Sequence, residues 1–148
     1  GVRARLQGFE LEGRWNLVDR PWRVELTAQA DAVRGTDLDR QQALPRLAPR
    51  RLHAGVDLAA GPWALGLGVR HAARQSRVPA GDTVTPGHTV WNAWASWRLP
   101  VAGVDTTAFV RLDNLTDRLA YNAAAVATIR GLAPQGGRAA TAGVRVQW

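Results

Sequence analysis

The sequence predicts an all-β chain, an antiparallel up-and-down segment of a transmembrane β-barrel. Three observations predict this fold. Apolar and polar residues alternate along about seven segments, short and long connections alternate between them, and most tryptophans lie near segment ends on the apolar side. The 148 residues contain no run of 18 or more apolar residues, so no transmembrane helix is predicted.

The alternation is clearest in residues 140–148, where alanine, valine and tryptophan alternate with threonine, glycine, arginine and glutamine. Successive side chains of a strand point to opposite faces, so this segment is apolar on one face and polar on the other. A helix would spread the apolar residues around its circumference. Near Gly8 the apolar phase changes, which predicts a β-bulge there. The other alternating segments are residues 9–17, 22–32, 51–58, 63–70, 91–99 and 107–113.

The connections between these segments are alternately short and long. Such alternation puts every long loop at one end of the sheet, as in outer-membrane barrels, whereas sandwiches and jelly rolls have no reason to keep it. About seven strands cannot close a barrel, so we expect residues 1–148 to be the C-terminal part of a larger one. The short connections are Val18–Pro21, Ala59–Pro62 and Pro100–Asp105, and the long ones are Gly35–Pro49, Arg74–Gly87 and Leu115–Ala139.

Tryptophans on the apolar side predict an aromatic girdle at a membrane interface. Two of them directly follow a short connection, two lie just before one, and the last one ends the chain at the same predicted level. The alternative is the core of a soluble β-sandwich. The residues concerned are Trp15, Trp22, Trp63, Trp91, Trp97 and Trp148.

Composition narrows the classes of function. Without cysteine the chain has no disulfide, thiolate metal site or cysteine nucleophile, and without methionine we expect it to be a piece of a longer protein. The net charge is +7, but the basic residues, all arginine, are scattered, so we expect no nucleic-acid partner. No serine lies at a recognisable spacing from histidine and an acid, so we expect no catalytic residue and no enzyme.

Polar residues of the second face supply a candidate ligand path, because that face would line the inside of a barrel. Positive charge there would guide an anionic chelate. The alternative is a set of structural cross-strand ion pairs facing a plug. The histidines are far apart in sequence, so no metal site is predicted. The candidates are Asp31, His53, Arg70, His88 and Arg111.

Four short motifs, in order along the chain, resemble those of TonB-dependent outer-membrane receptors. They are Gly8–Glu12 (GFELE), Leu47–Leu52 (LAPRRL), Arg111–Arg118 (RLDNLTDR) and Pro134–Arg138 (PQGGR), followed by a terminal aromatic residue. Side chains of the third motif are suited to ending a strand in a turn, so we expect these positions to be structural. The matched positions are Asn114, Leu115, Asp117, Gly137, Arg138 and Trp148.

The resemblance implies a monomeric barrel of about 22 strands in the outer-membrane lipid of a Gram-negative bacterium. It implies active uptake of a scarce ligand, powered through TonB, with the plug and the TonB-contacting segment N-terminal to residue 1. It also implies that the barrel assembly machinery recognises the last strand. Ligands of such receptors include ferric siderophores, haem, vitamin B12, metal ions and sugars. We expect a metal or a metal chelate as cargo, and no cofactor.

Three stretches are most similar to the zinc-uptake branch: Leu44–Leu52, Ser76–Pro79 and Gly131–Pro134. The loop Tyr121–Arg130 departs from that branch, because it holds no histidine, acid or cysteine. A ferric chelate is therefore an equal expectation. A passive porin, an autotransporter barrel and a soluble anion-binding β-sandwich remain alternatives.

Overall fold

The computed structural model describes residues 3–148, which form one antiparallel sheet. Seven long strands pair in chain order, and a two-residue strand, β3, is attached to β2. This confirms the predicted all-β, up-and-down segment. Among residues 3–148 no helix has the length and apolarity needed to cross a bilayer. The elements are β1 (Ala4–Val18), β2 (Arg23–Asp37), β3 (Gln42–Ala43), β4 (Arg51–Ala60), β5 (Trp63–Ala72), β6 (His88–Leu99), β7 (Asp105–Asp113), α1 (Ala127–Arg130) and β8 (Ala139–Gln147).

The connections alternate as predicted. Residues 19–22, 61–62 and 100–104 make the short turns at one end of the sheet. The excursion that contains β3 and the loops 73–87 and 114–138 lie at the other end, called here the long-loop end. β1 and β8 form the two edges of the sheet, each with one neighbour among the described residues.

The register sorts the side chains onto two faces. On the outer face Leu67 lies between Val56 and Ala93, whereas on the inner face Gly68 lies between Gly55 and Asn92. Large apolar side chains of the outer face are widely exposed; Leu11, for example, is 68 % exposed. The inner face is concave and polar. Since few apolar side chains are buried within residues 3–148, the outer face requires an apolar environment outside the chain.

The tryptophans of the short-turn end follow a sloping line across the outer face. Trp63 pairs with Trp97, and their rings stack with centroids 5.0 Å apart and an angle of 7° between planes. Counted along the strands, Trp15 lies four residues nearer the long-loop end than this pair, and Trp148 four residues farther from it.

This slope has the size expected from strand tilt. Strands about 4.8 Å apart and tilted by about 40° shift the level by about 1.2 residues per strand, or about seven residues over the six steps from β1 to β8. The observed displacement between Trp15 and Trp148 is eight residues. These rings therefore form one level in a tilted barrel, as expected of an aromatic girdle. Trp91 does not belong to it as predicted, because it pairs with Val69, six residues nearer the long-loop end than Trp63.

The β-bulge predicted near Gly8 is wrong. β1 and β2 pair without a shift from Ala4 to Asn16, and the irregularity lies between Asn16 and Val18. A Cβ on Gly8 would collide with the carbonyl oxygen of Ala32, so the glycine permits close approach of the two strands.

The change of phase near Gly8 instead marks an inversion of polarity between the faces. On the outer face Gln7 and Arg34 pair just beyond the apolar belt. On the inner face a Cβ on Gly35 would lie 2.7 Å from Leu47 and 2.8 Å from Leu44, so the chain after β3 packs there. The strands have left the apolar belt at this level, and the loop now covers the inner side.

Candidate ligand path on the inner face

The inner face forms a hollow of about 660 Å³ lined by residues of six strands. Gly55 and Gly68 pair across β4 and β5 and leave its floor without side chains. The indole of Trp94 lies over Gly66, where a Cβ would collide with the ring. The floor of the hollow is therefore bare backbone, and an aromatic ring forms part of its wall.

Three of the five predicted path residues lie in two adjacent rows at the long-loop end of this face. His53 is the direct partner of Arg70. In the next row Arg51 pairs with Asp31, and its Nε donates to both carboxylate oxygens at 3.0 Å. Asp31 is therefore occupied by an ion pair. Arg70 has no carboxylate within 4.0 Å among residues 3–148, so its charge faces the hollow.

Arg111 reaches the same hollow from β7, separate from those rows. Its Nε and Nη2 donate to Oδ1 of Asp113 at 3.0 Å and 2.9 Å. It lies opposite Trp94 on β6. The ion pair with Asp113 neutralises part of the charge of Arg111, so Arg111 is a weaker candidate for anion contact than Arg70.

His88 lies outside the hollow, although it continues the row of Arg51 through Ala72. It lines a smaller cavity of about 220 Å³ together with Arg51, Thr85 and Tyr121. Within residues 3–148 no group of three histidine, cysteine or acidic side chains converges as a metal site.

An ion pair joins two of the long loops. Arg130 in α1 donates from Nη1 to Oδ1 of Asp82 at 2.9 Å and from Nη2 to Oδ2 at 3.2 Å. Both side chains are nearly buried, and Arg130 also donates to the carbonyl oxygens of Thr83 and Ala125. The hydrogen bonds that Asp82 accepts from Arg130 and from the backbone amide of Thr83 hold its pKa below the ordinary value. Loops 73–87 and 114–138 are thereby fastened together.

Asn114 holds the base of the longest loop. It is 3 % exposed, and its backbone adopts a positive φ of 50°. Its Nδ2 donates to the carbonyl oxygens of Arg118 and Gly136, and its Oδ1 accepts from the Arg118 amide at 2.8 Å. Its own amide donates to Asn92 on β6. One side chain therefore connects the beginning and the end of loop 114–138.

Asp117 and Arg138 make a second connection across the same loop. Oδ1 of Asp117 accepts from the Arg138 amide at 2.8 Å. A Cβ on Gly137 would lie 3.1 Å from that oxygen, so glycine allows the close approach. The amide of Leu115 donates to the carbonyl oxygen of Trp91. The motif thus closes the loop over a distance, beyond the local turn that the sequence predicted.

Sequence reasoning missed Trp94 as a residue of the hollow. It lies on the polar side of β6, where its ring faces the hollow beside Asp57. The signal was present in the sequence, because Trp94 is the one tryptophan of the chain's strands on the polar parity.

The chain is similar to known proteins in sequence and in fold. The family model described as TonB dependent receptor-like, beta-barrel matches residues 3–115. Among solved structures, one titled "Copper transporter OprC" is similar in fold, with a TM-score of 0.76 and 22 % identity over 97 % of this chain. The chain covers 24 % of that protein, about a quarter of its length. No curated protein sequence matches the chain. The positions Asp117, Gly137, Arg138 and Trp148 lie beyond the family match, so their motif roles stay predictions.

Proposed function

Because the chain belongs to the TonB-dependent receptor family, we propose that it is the C-terminal wall of a plugged barrel that takes up a scarce metal, as an ion or a chelate. The observation that carries the proposal is the family match over residues 3–115. The family comprises receptors of the Gram-negative outer membrane rather than enzymes. Transport would draw its energy from the inner membrane through TonB.

The inner face supports an anionic metal chelate as the cargo. Arg70 presents an unneutralised guanidinium beside His53, and the carboxylate of Asp31 is already bound by Arg51. A guanidinium binds carboxylate or other oxyanion groups through paired hydrogen bonds. A chelate brings its own metal ligands and requires only charge and hydrogen-bond complementarity from the wall.

The identity of the transported metal is a separate part of the proposal. The structural neighbour is titled a copper transporter, which makes copper a candidate beside iron, haem iron and zinc. This chain has neither cysteine nor methionine, so any soft ligand for Cu(I) would come from outside residues 1–148. We favour a chelated metal, because the guanidinium of Arg70 suits a ligand with its own negative charge.

The proposed partners follow from the same placement. The widely exposed apolar outer face supports contact with outer-membrane lipid. The plug and the segment that contacts TonB would lie N-terminal to residue 1. We further propose a monomeric barrel whose last strand, ending at Trp148, is recognised by the barrel assembly machinery.

Metal uptake in a receptor knockout complemented with the full-length protein tests the proposal. The cells receive in turn a ferric siderophore, haem, Zn²⁺ and Cu²⁺, and cell-associated metal is measured by mass spectrometry. We expect uptake of one of them, abolished by deletion of TonB. Uptake that persists without TonB would contradict the proposal and favour a passive porin.

Paired variants locate the path. Arg70→Gln should raise the concentration for half-maximal uptake at least tenfold, since one charge-assisted oxyanion contact is removed. Arg98→Gln is the matched control, because Arg98 lies on the inner face near the short-turn end and is widely exposed. Equal effects of the two substitutions would refute the assigned position of the path.

A further inference from the structure

A second pocket, of about 690 Å³, opens at the long-loop end where β2 leaves β4. The last pair between these strands joins Asp31 to Arg51, and beyond it β2 continues beside the loops. The pocket combines arginines with an apolar wall. Its arginines are Arg34, Arg50, Arg74 and Arg77, and its apolar residues include Phe9, Ala32, Val33, Leu47, Ala48 and Pro49.

The positive charge of this pocket is not neutralised within the described part of the chain. No acidic side chain lines the pocket, and none of its four arginines has a carboxylate within 4.0 Å among residues 3–148. Arg77 donates from Nη2 to the hydroxyl of Thr36 at 2.8 Å, while its Nη1 is buried without a partner among those residues. Four guanidiniums without a carboxylate partner in one pocket favour an anion with several acceptor oxygens.

The apolar wall joins the pocket to the lipid-facing surface. Phe9 and Ala32 pair with each other on the outer face, and both line the pocket. Phe9 is 63 % exposed. A ligand held by the arginines therefore meets the apolar belt on the side toward the membrane, which favours an amphiphile over a small soluble anion.

The level of the pocket matches that of a lipid headgroup. The outer face changes there from apolar to polar: the apolar pair Phe9 and Ala32 is followed, on the same face, by the polar pair Gln7 and Arg34. Arginine is effective at this level, because its stem lies along apolar surface while the guanidinium reaches the phosphate layer.

We propose that this pocket binds the phosphate groups of an outer-leaflet glycolipid, with the acyl chains lying along Phe9 and Ala32. The phosphates contact Arg34, Arg50, Arg74 and Arg77. The inference rests on the membrane placement proposed above and is independent of which metal is transported.

Binding of three probes to the purified full-length receptor in neutral detergent tests this assignment. The probes are lipid A, lipid A with its phosphates removed, and inorganic phosphate, each followed by native mass spectrometry and by titration. We expect lipid A to bind at least tenfold more tightly than the dephosphorylated form, and we expect its affinity to fall with added salt. Equal binding of the two lipids, or competition by inorganic phosphate at micromolar concentration, would overturn the proposal.

The double variant Arg34→Gln, Arg74→Gln assigns the binding to this pocket. Both side chains are exposed and make no hydrogen bond within residues 3–148, so folding should be unaffected. The matched control is Arg40→Gln, Arg46→Gln, which removes two exposed loop arginines outside the pocket. Lipid A affinity should fall at least tenfold only in the first variant. Equal affinity in both would contradict the assignment, and the probe comparison on the unchanged receptor decides the matter if either variant fails to assemble.

Discussion

The outer and inner faces of this sheet are built by the same strands, yet they follow opposite rules. The outer face exposes large apolar residues such as Leu11, whereas the inner face holds charged side chains in ion pairs such as Arg51 with Asp31. A soluble sheet would bury the apolar face against a second layer. The difference teaches that the outer face suits an apolar environment, which we propose is lipid, and in lipid the exposure of an apolar residue is stabilising.

A charge placed on each face in turn should give the largest difference between them. Leu67→Arg puts a guanidinium near the middle of the outer belt and should cost about 2–4 kcal/mol of unfolding free energy in vesicles, because the charge enters lipid. Ser96→Arg places the same side chain on the inner face of the neighbouring strand, at a residue whose side chain makes no hydrogen bond within residues 3–148, and should cost far less. Urea unfolding of the full-length receptor in vesicles measures both. Equal losses would show that the faces are wrongly assigned.

The base of loop 114–138 should come next in effect. Asn114 is 3 % exposed, and Asn114→Ala removes its three side-chain hydrogen bonds with the backbone of Arg118 and Gly136, at a cost of about 2 kcal/mol. The control is Asn122→Ala, which removes one exposed local hydrogen bond in the same loop. Limited proteolysis and urea unfolding should show faster cleavage and lower stability for the first variant only. Similar behaviour of the two would refute the role assigned to Asn114.

Two tryptophans of β6 compare the faces residue by residue. Trp97→Ala on the outer face should lower stability by about 1 kcal/mol beyond the lost area, because its stacked partner Trp63 remains alone, and should leave cargo affinity unchanged. Trp94→Ala on the inner face should change cargo affinity more than stability, since its ring lines the hollow. Unfolding and uptake assays measure both variants. A reversed outcome would place Trp94 in a structural role.

Acid should have the smallest effect, because the loop ion pair is robust near neutrality. The pKa of Asp82 lies below its ordinary value of 3.8, so the stabilisation is present above that value and is lost as the pH falls through the lowered pKa. Proteolysis of loop 73–87 should therefore be constant from pH 7 to pH 5 in the unchanged protein, and faster throughout that range in Asp82→Asn. A transition between pH 7 and pH 5 would show that another group controls the loops.

The strands and the sorting of residues onto faces could be predicted from the sequence, since a period of two is a local property of the chain. The bulge at Gly8 was wrong for a physical reason. The phase of the apolar pattern reports the surroundings of each side chain, and those change where β1 leaves the belt. Register alone distinguishes such a change from a bulge.

The arrangement of the candidate site could be predicted only in part. The alternation of residues predicts that His53 and Arg70 lie on the inner face, but their direct pairing depends on the register between β4 and β5. The contact of Asn114 with Gly136 spans the whole loop and leaves no local signal. Tertiary contacts of this kind require the structure.

The most direct test of the account is an accessibility scan along β2 in the full-length receptor freed of other cysteines. Single cysteines at residues 24–31 carry a nitroxide label, and its collisions with oxygen in lipid and with a polar nickel complex in water are measured. The account predicts a period of two, with even positions accessible to oxygen and odd positions to nickel. Uniform accessibility, or the opposite phase, would contradict the assignment of an outer lipid face and an inner ligand path.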